Sequence, residues 1–183
     1  MGNHKIAFFN LYELGDGETL IASILVTDEF GIPLEFKCTQ SIKPTAIQKT
    51  LYGDKMKSYI AVKLCGLPLL GSINNRPDVI YVNSRPLLDI RNEIETPTLF
   101  VSRVGEIITL SSSNEIENEK FKLEDSSGQF QPLILQSHIS HNEDLKNTQE
   151  LANALFVNFD LAEPFDRMLK SINILGNNDS KFK

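Results

Sequence analysis

PDVIYVNSRPLLDIRNEIETPTLFVSR, residues 77–103, decides the fold. Val79 to Asn83 is apolar without alternation, and such a run suits a short strand covered on both faces. Pro86 is tolerated in a first helical turn, so Leu87 to Ile94 reads as a helix. Thr98 to Arg103 is β-branched and aromatic, the composition of a second strand. Strand, helix and strand in this order predict a right-handed crossover.

Upstream, three strands are expected at Lys5 to Tyr12, Leu20 to Thr27 and Leu34 to Gln40, and the short turns between them imply antiparallel pairing. Thr45 and Gln48 have capping-box spacing before a helix at Ala46 to Tyr52. Asp54 opens a second helix, expected to stop at Gly66. Downstream, Gly105 turns into Glu106 to Leu110, followed by the polar loop SSSNEIENE. Strands follow at Phe121 to Glu124 and Pro132 to Gln136. Helices capped by Asp144 and Asp160 reach Phe156 and Gly176. This predicts an α/β (or α+β) mixed sheet. A single domain spans 1–176, with a sheet core over 1–111 and C-terminal strands and a helix pair over 112–176. Residues 177–183 read as a flexible tail.

Three antiparallel strands, helices and a strand–helix–strand unit resemble ribonuclease H-like folds over residues 5–103. That resemblance implies two metal-binding carboxylates, one on the first strand and one at the end of a later central strand. The matching positions hold Asn10 and Asn83, which keep an oxygen but lack the charge that hard divalent cations require. The hairpin acids Asp28 and Glu29 read as turn residues.

Composition excludes other chemistries. Two cysteines, Cys38 and Cys65, imply no disulfide framework. No stretch is long and apolar enough to cross a bilayer, no leader is evident, and a cytoplasmic location is the default. Residues 1–111 carry 11 Lys and Arg against 12 Asp and Glu, and residues 112–183 carry 7 against 12, so the acidic second part is a poor phosphate binder. The sequence contains neither a nucleophile elbow nor a phosphate-cradling glycine motif. No catalytic residue and no cofactor are assigned.

Three candidate surfaces remain. The first reading is a non-enzymatic protein-interaction module or accessory subunit, which binds a partner or a second copy through Phe156, Phe159, Phe165, Met168 and Leu169; the same stripe also suits the chain's own core. The second is nucleic-acid binding along Lys37 to Lys63, through Lys43, Lys49, Tyr52, Lys55, Lys57 and Tyr59, because lysines can follow phosphates while aromatic rings stack on bases. The third is a metal-dependent hydrolase built on His138, His141 and Asp144, although the H-x-x-H spacing is not that of a helical zinc pair.

Overall fold

The computed structural model describes residues 4–15, 18–105, 119–125 and 127–178. Three strands open the chain: β1 (Ile6–Leu14), β2 (Thr19–Thr27) and β3 (Pro33–Cys38). Helix α1 (Ala46–Tyr52) carries the expected capping box between Thr45 and Gln48. A 3-10 turn (Gly53–Lys55), α2 (Met56–Tyr59), a π-helical segment (Ile60–Gly66) and α3 (Leu67–Ser72) follow without a break. Next come β4 (Val79–Val82), α4 (Arg85–Leu88) with a 3-10 turn (Asp89–Asn92), and β5 (Thr98–Arg103). Strands β6 (Lys120–Leu123) and β7 (Leu133–Ser137) precede the long helices α5 (Glu143–Asn158) and α6 (Glu163–Asn178). The Glu106 to Leu110 segment, the polar loop up to residue 118 and residues 179–183 of the expected tail lie outside the described residues.

The seven strands form one mixed sheet in the order β3-β2-β1-β4-β5-β7-β6. β1 pairs parallel with β4 and β4 parallel with β5, while the flanking pairs are antiparallel. The α/β class is therefore as the sequence implies. Central β4 is wholly buried, which explains why its apolar residues do not alternate.

Each face of the sheet carries its own core. Ile6, Phe8 and Tyr12 of β1 and Tyr81 of β4 point to the face covered by α5 and α6. Ala7, Phe9 and Leu11, with Ile80 and Val82, point to the face covered by the helices between β3 and β5. The hairpin at Asp28–Gly31 is clamped from the first face. Asp28 Oδ1 accepts from the N–H groups of Phe30 and Ile32, and Arg167 of α6 donates twice to the Gly31 carbonyl at 3.0 Å. Gly31 takes φ +75° directly beneath the Phe159 ring, where a Cβ would lie 3.1 Å from Phe159 Cδ2. The acids of this turn are structural.

Two local expectations need correction. The helical segment does not stop at Gly66. A Cβ there would meet the Ala61 carbonyl oxygen and Ile90 Cδ1, each at 2.7 Å, so this glycine permits close packing and is not a stop. Pro68 lacks an N–H, and the wider π turn before it, with Leu67 N–H donating to the Val62 carbonyl, carries the chain past that defect. Asp144 does not cap α5. Its carboxylate is 1% exposed and grips Arg91 with two bonds of 2.7 and 3.1 Å, while also accepting from the Thr98 N–H. Asp160 does cap α6, accepting from the Ala162 N–H at 2.9 Å.

Candidate nucleic-acid interface

The carboxyl ends of β1 and β4 meet in one corner. Phe9 is in register with Val82, so Asn10 and Asn83 occupy the next pair of positions. Two residues earlier, Phe8 and Tyr81 stack at 5.8 Å on the face covered by α5 and α6, and strand alternation puts Asn10 and Asn83 on that same face. Ser23 of β2 lies opposite Asn10. Asn10 and Ser23 lie beside the Tyr12 phenol, whose hydroxyl donates to the Phe165 carbonyl at 3.0 Å. Burial pushes this phenol up to about 12; the neighbouring Asn10 and Ser23 side chains oppose the shift and the charge of Asp166 adds to it. Asn83 donates from Nδ2 to the Val101 carbonyl at 2.7 Å. The Oδ1 of Asn10, the Oγ of Ser23 and the hydroxyl of Tyr81 are buried without a hydrogen-bond partner among the described residues. A small cleft above the corner is lined by Asn83, Arg103, Phe165 and Asp166, and Arg103 pairs there with Asp160 at 2.8 Å.

Lys43, Lys49 and Lys57 lie at the same sheet edge, on the opposite face. Lys57 of α2 reaches Glu13 at the end of β1, at 2.7 Å. Lys43 and Lys49 both reach Glu18 before β2, each at 3.1 Å. Lys37 pairs with Glu35, and Lys63 with Glu93. Lys55 lies in the 3-10 turn between α1 and α2, with no ion pair among the described residues. The rings of Tyr52 and Tyr59 approach to 4.9 Å across the α1–α2 junction, both exposed, beside an apolar notch floored by Ile42, Met56 and Ile60. Ile47 and Leu51 of α1 and Leu64 of the π-helical segment are exposed nearby. The six candidate residues for nucleic-acid binding thus share one surface.

The other two candidate sets fare differently. Phe156, Phe165 and Met168 are buried in the core beneath α5 and α6, Phe159 is half-buried against it, and only Leu169 is exposed. A partner would have to displace them from the chain's own sheet, so this stripe is not a free docking face. The His138 and His141 rings lie 5.8 Å apart, with His138 near Asp89 and His141 near Glu143. Asp144 faces away into its pair with Arg91. No group of three His, Cys, Asp or Glu suited to a metal ion occurs among the described residues. Among those residues, no helix is long and apolar enough to cross a membrane.

No family model and no curated protein sequence matches the chain. Solved structures do. An endonuclease V from Ciona intestinalis, in complex with a 24mer DNA containing an inosine followed by a ribo-adenosine, superposes with a TM-score of 0.52 at 14% identity, over 93% of this chain and 87% of that one. The endonuclease V of Bacillus subtilis gives a TM-score of 0.50 at 12% identity, over 96% and 84%. The fold is that of these ribonuclease H-like nucleases. This overturns the expectation of a non-enzymatic interaction module or accessory subunit: the architecture is shared with enzymes that act on nucleic acid.

The fold implies divalent cations at the corner, and the residues present do not fit them. Asn10 and Asn83 offer neutral amide oxygens, Ser23 and Tyr12 offer hydroxyls, and Asp160 is engaged by Arg103. Asp166 alone adds a carboxylate that is not held in an ion pair among the described residues. Hard cations draw their affinity from clustered carboxylates. The sequence exposes Asn10 and Asn83 through strand position alone. Ser23 and Tyr81 escape notice because they are recognised only through register and burial.

Proposed function

We propose that this protein binds nucleic acid, through the surface formed by Lys43, Lys49, Tyr52, Lys55, Lys57 and Tyr59. The observation that carries this reading is the exposed Tyr52–Tyr59 ring pair set among lysines at the carboxyl edge of the sheet, where open α/β folds bind their ligands. The fold shared with a DNA-bound endonuclease V supports it.

Lys43, Lys49 and Lys57 are paired in the absence of ligand, which does not weaken the argument. Exposed ion pairs are worth about 0–1 kcal/mol each, so phosphates can replace Glu13 and Glu18 at small cost. The rings supply what charge cannot: base stacking contributes about 1–3 kcal/mol per base. The chain's acidic balance opposes binding at long range, and specificity for this edge then rests on local contacts. A cytoplasmic location belongs to the same proposal.

The test is fluorescence anisotropy of a labelled DNA strand, titrated over a range of salt. Affinity should fall with salt by a log–log slope of about −0.7 per phosphate contacted. The triple variant Lys43→Glu, Lys49→Glu, Lys57→Glu should lose most binding and flatten that slope. Unaltered affinity in the triple variant removes the proposal.

A further inference from the structure

We propose that the corner between β1 and β4 takes no divalent cation, and that the side-chain amides of Asn10 and Asn83 are what keep it from doing so. The second arm of the test below rests on the nucleic-acid reading; the first does not.

The corner keeps the geometry of a site while lacking its charge. Asn10 and Asn83 are neighbours in register on adjacent parallel strands, which run about 4.8 Å apart. Their side chains share one face, and Asp166 of α6 lines the cleft above Asn83. Carboxylates at positions 10 and 83, with Asp166, would make three hard oxygen ligands. The chain has two neutral amides there instead. A neutral amide oxygen can join a cation's shell but cannot repay the loss of its hydration water.

The rest of the corner is built for neutrality. Ser23 opposite Asn10, and Tyr12 two residues on, fill it with hydroxyls, and Tyr12 anchors the α6 backbone through the Phe165 carbonyl. Asn83 ties the end of β4 to β5 through the Val101 carbonyl. Arg103 brings a positive charge to the cleft, held by Asp160 and unfavourable to a cation. The Oδ1 of Asn10 is buried and without a partner. A carboxylate at that position without a counter-ion would be costly, whereas an amide is tolerated.

Isothermal calorimetry with Mn²⁺ and with Mg²⁺ on the full chain decides the first arm. No stoichiometric heat is expected for the wild type, and one-to-one binding of either ion would overturn the inference. The variants Asn83→Asp and Asn10→Asp/Asn83→Asp follow. Because Asn83 is exposed, the single variant is expected to fold. Gain of Mn²⁺ binding in either variant, seen as heat and as a rise in melting temperature with Mn²⁺, supports the inference. If neither folded variant gains binding, the amides are not what excludes the ion, and the inference fails.

The second arm measures DNA affinity in EDTA and in Mg²⁺ at matched ionic strength. Affinity within about twofold is expected. Binding lost in EDTA and restored by Mn²⁺ overturns the inference while leaving the nucleic-acid reading intact. DNA bound in neither buffer removes that reading, and the calorimetry still decides the cation question.

Discussion

Both faces of the sheet bury an apolar core, but the helix pair α5–α6 and the short helices α1 and α2 differ in how far their apolar side chains take part in it. Under α5 and α6, Phe156, Phe165, Met168 and Ile172 are sealed against β1 and its neighbours. Over the other face, α1 and α2 leave Ile47 72% and Leu51 77% exposed, with Tyr52 and Tyr59 beside them. The ion pairs differ in burial too. Asp144–Arg91 is buried and bidentate, whereas the lysines of α1 and α2 meet exposed glutamates. On the first face, aromatic and charged groups hold the fold. On α1 and α2 the rings and lysines stay exposed.

The contrast is sharpest where charge is buried. Asp144→Ala would strand Arg91 and leave the Thr98 N–H without its acceptor, and a broken buried pair costs about 3–5 kcal/mol. Urea unfolding should show that loss, and the double change Arg91→Met/Asp144→Leu should cost much less. Phe165→Ala should cost a similar amount, about 3–5 kcal/mol, through the cavity it opens. Leu51→Ser on the open face should stay within about 0.5 kcal/mol. If Leu51→Ser proved as damaging as Phe165→Ala, the two faces would not differ in kind.

The strands and the crossover were legible because they rest on local chemistry. The all-apolar run at Val79 to Val82 and the crossover through Pro86 identify a central parallel strand without tertiary information. The capping box at Thr45 is equally local. The destiny of an apolar stripe is not local. Phe156 to Leu169 and the α1–α2 residues both alternate at helical spacing, and only the packing shows that the first stripe is consumed by the core. Asp144 was misread for the same reason: an acid at a helix start looks like a cap until its long-range partner Arg91 appears. Gly66 was misread because a stop signal and a close-packing glycine look identical in sequence. The helices of the second face lean on that glycine, so Gly66→Ala, which drives a Cβ into Ala61 and Ile90, should cost about 1–3 kcal/mol in the same urea assay.

Binding supplies the next test of the open face. Tyr59→Ala should weaken single-stranded DNA binding about tenfold, in line with about 1–3 kcal/mol for one stacked base. Its melting temperature should barely move, because the ring is exposed. Loss of stability without loss of affinity would place Tyr59 among the packing residues and erase the distinction between the faces.

The smallest effects lie at the buried phenols of Tyr12 and Tyr81, and alkaline pH reads them. Tyr12 titrates at about 12 in the folded chain, raised chiefly by burial from an ordinary value of 10.0. Burial also pushes the Tyr81 phenol up. A raised phenol holds its proton more tightly in the native state than in the unfolded state. Its contribution is therefore complete below pH 10 and is lost as pH rises from about 10 through 12. Tyr12→Phe should flatten part of that decline, though it forfeits the bond to the Phe165 carbonyl and lowers stability at neutral pH by about 1 kcal/mol. Tyr81→Phe should behave differently, because its hydroxyl has no partner among the described residues. Removing an unsatisfied buried hydroxyl while keeping the ring stacked on Phe8 should leave neutral-pH stability unchanged or raise it by up to about 1 kcal/mol. A clear loss in Tyr81→Phe would mean that its hydroxyl is engaged, and the corner would then have to be redrawn as a connected polar network reaching from Tyr81 toward Asn10.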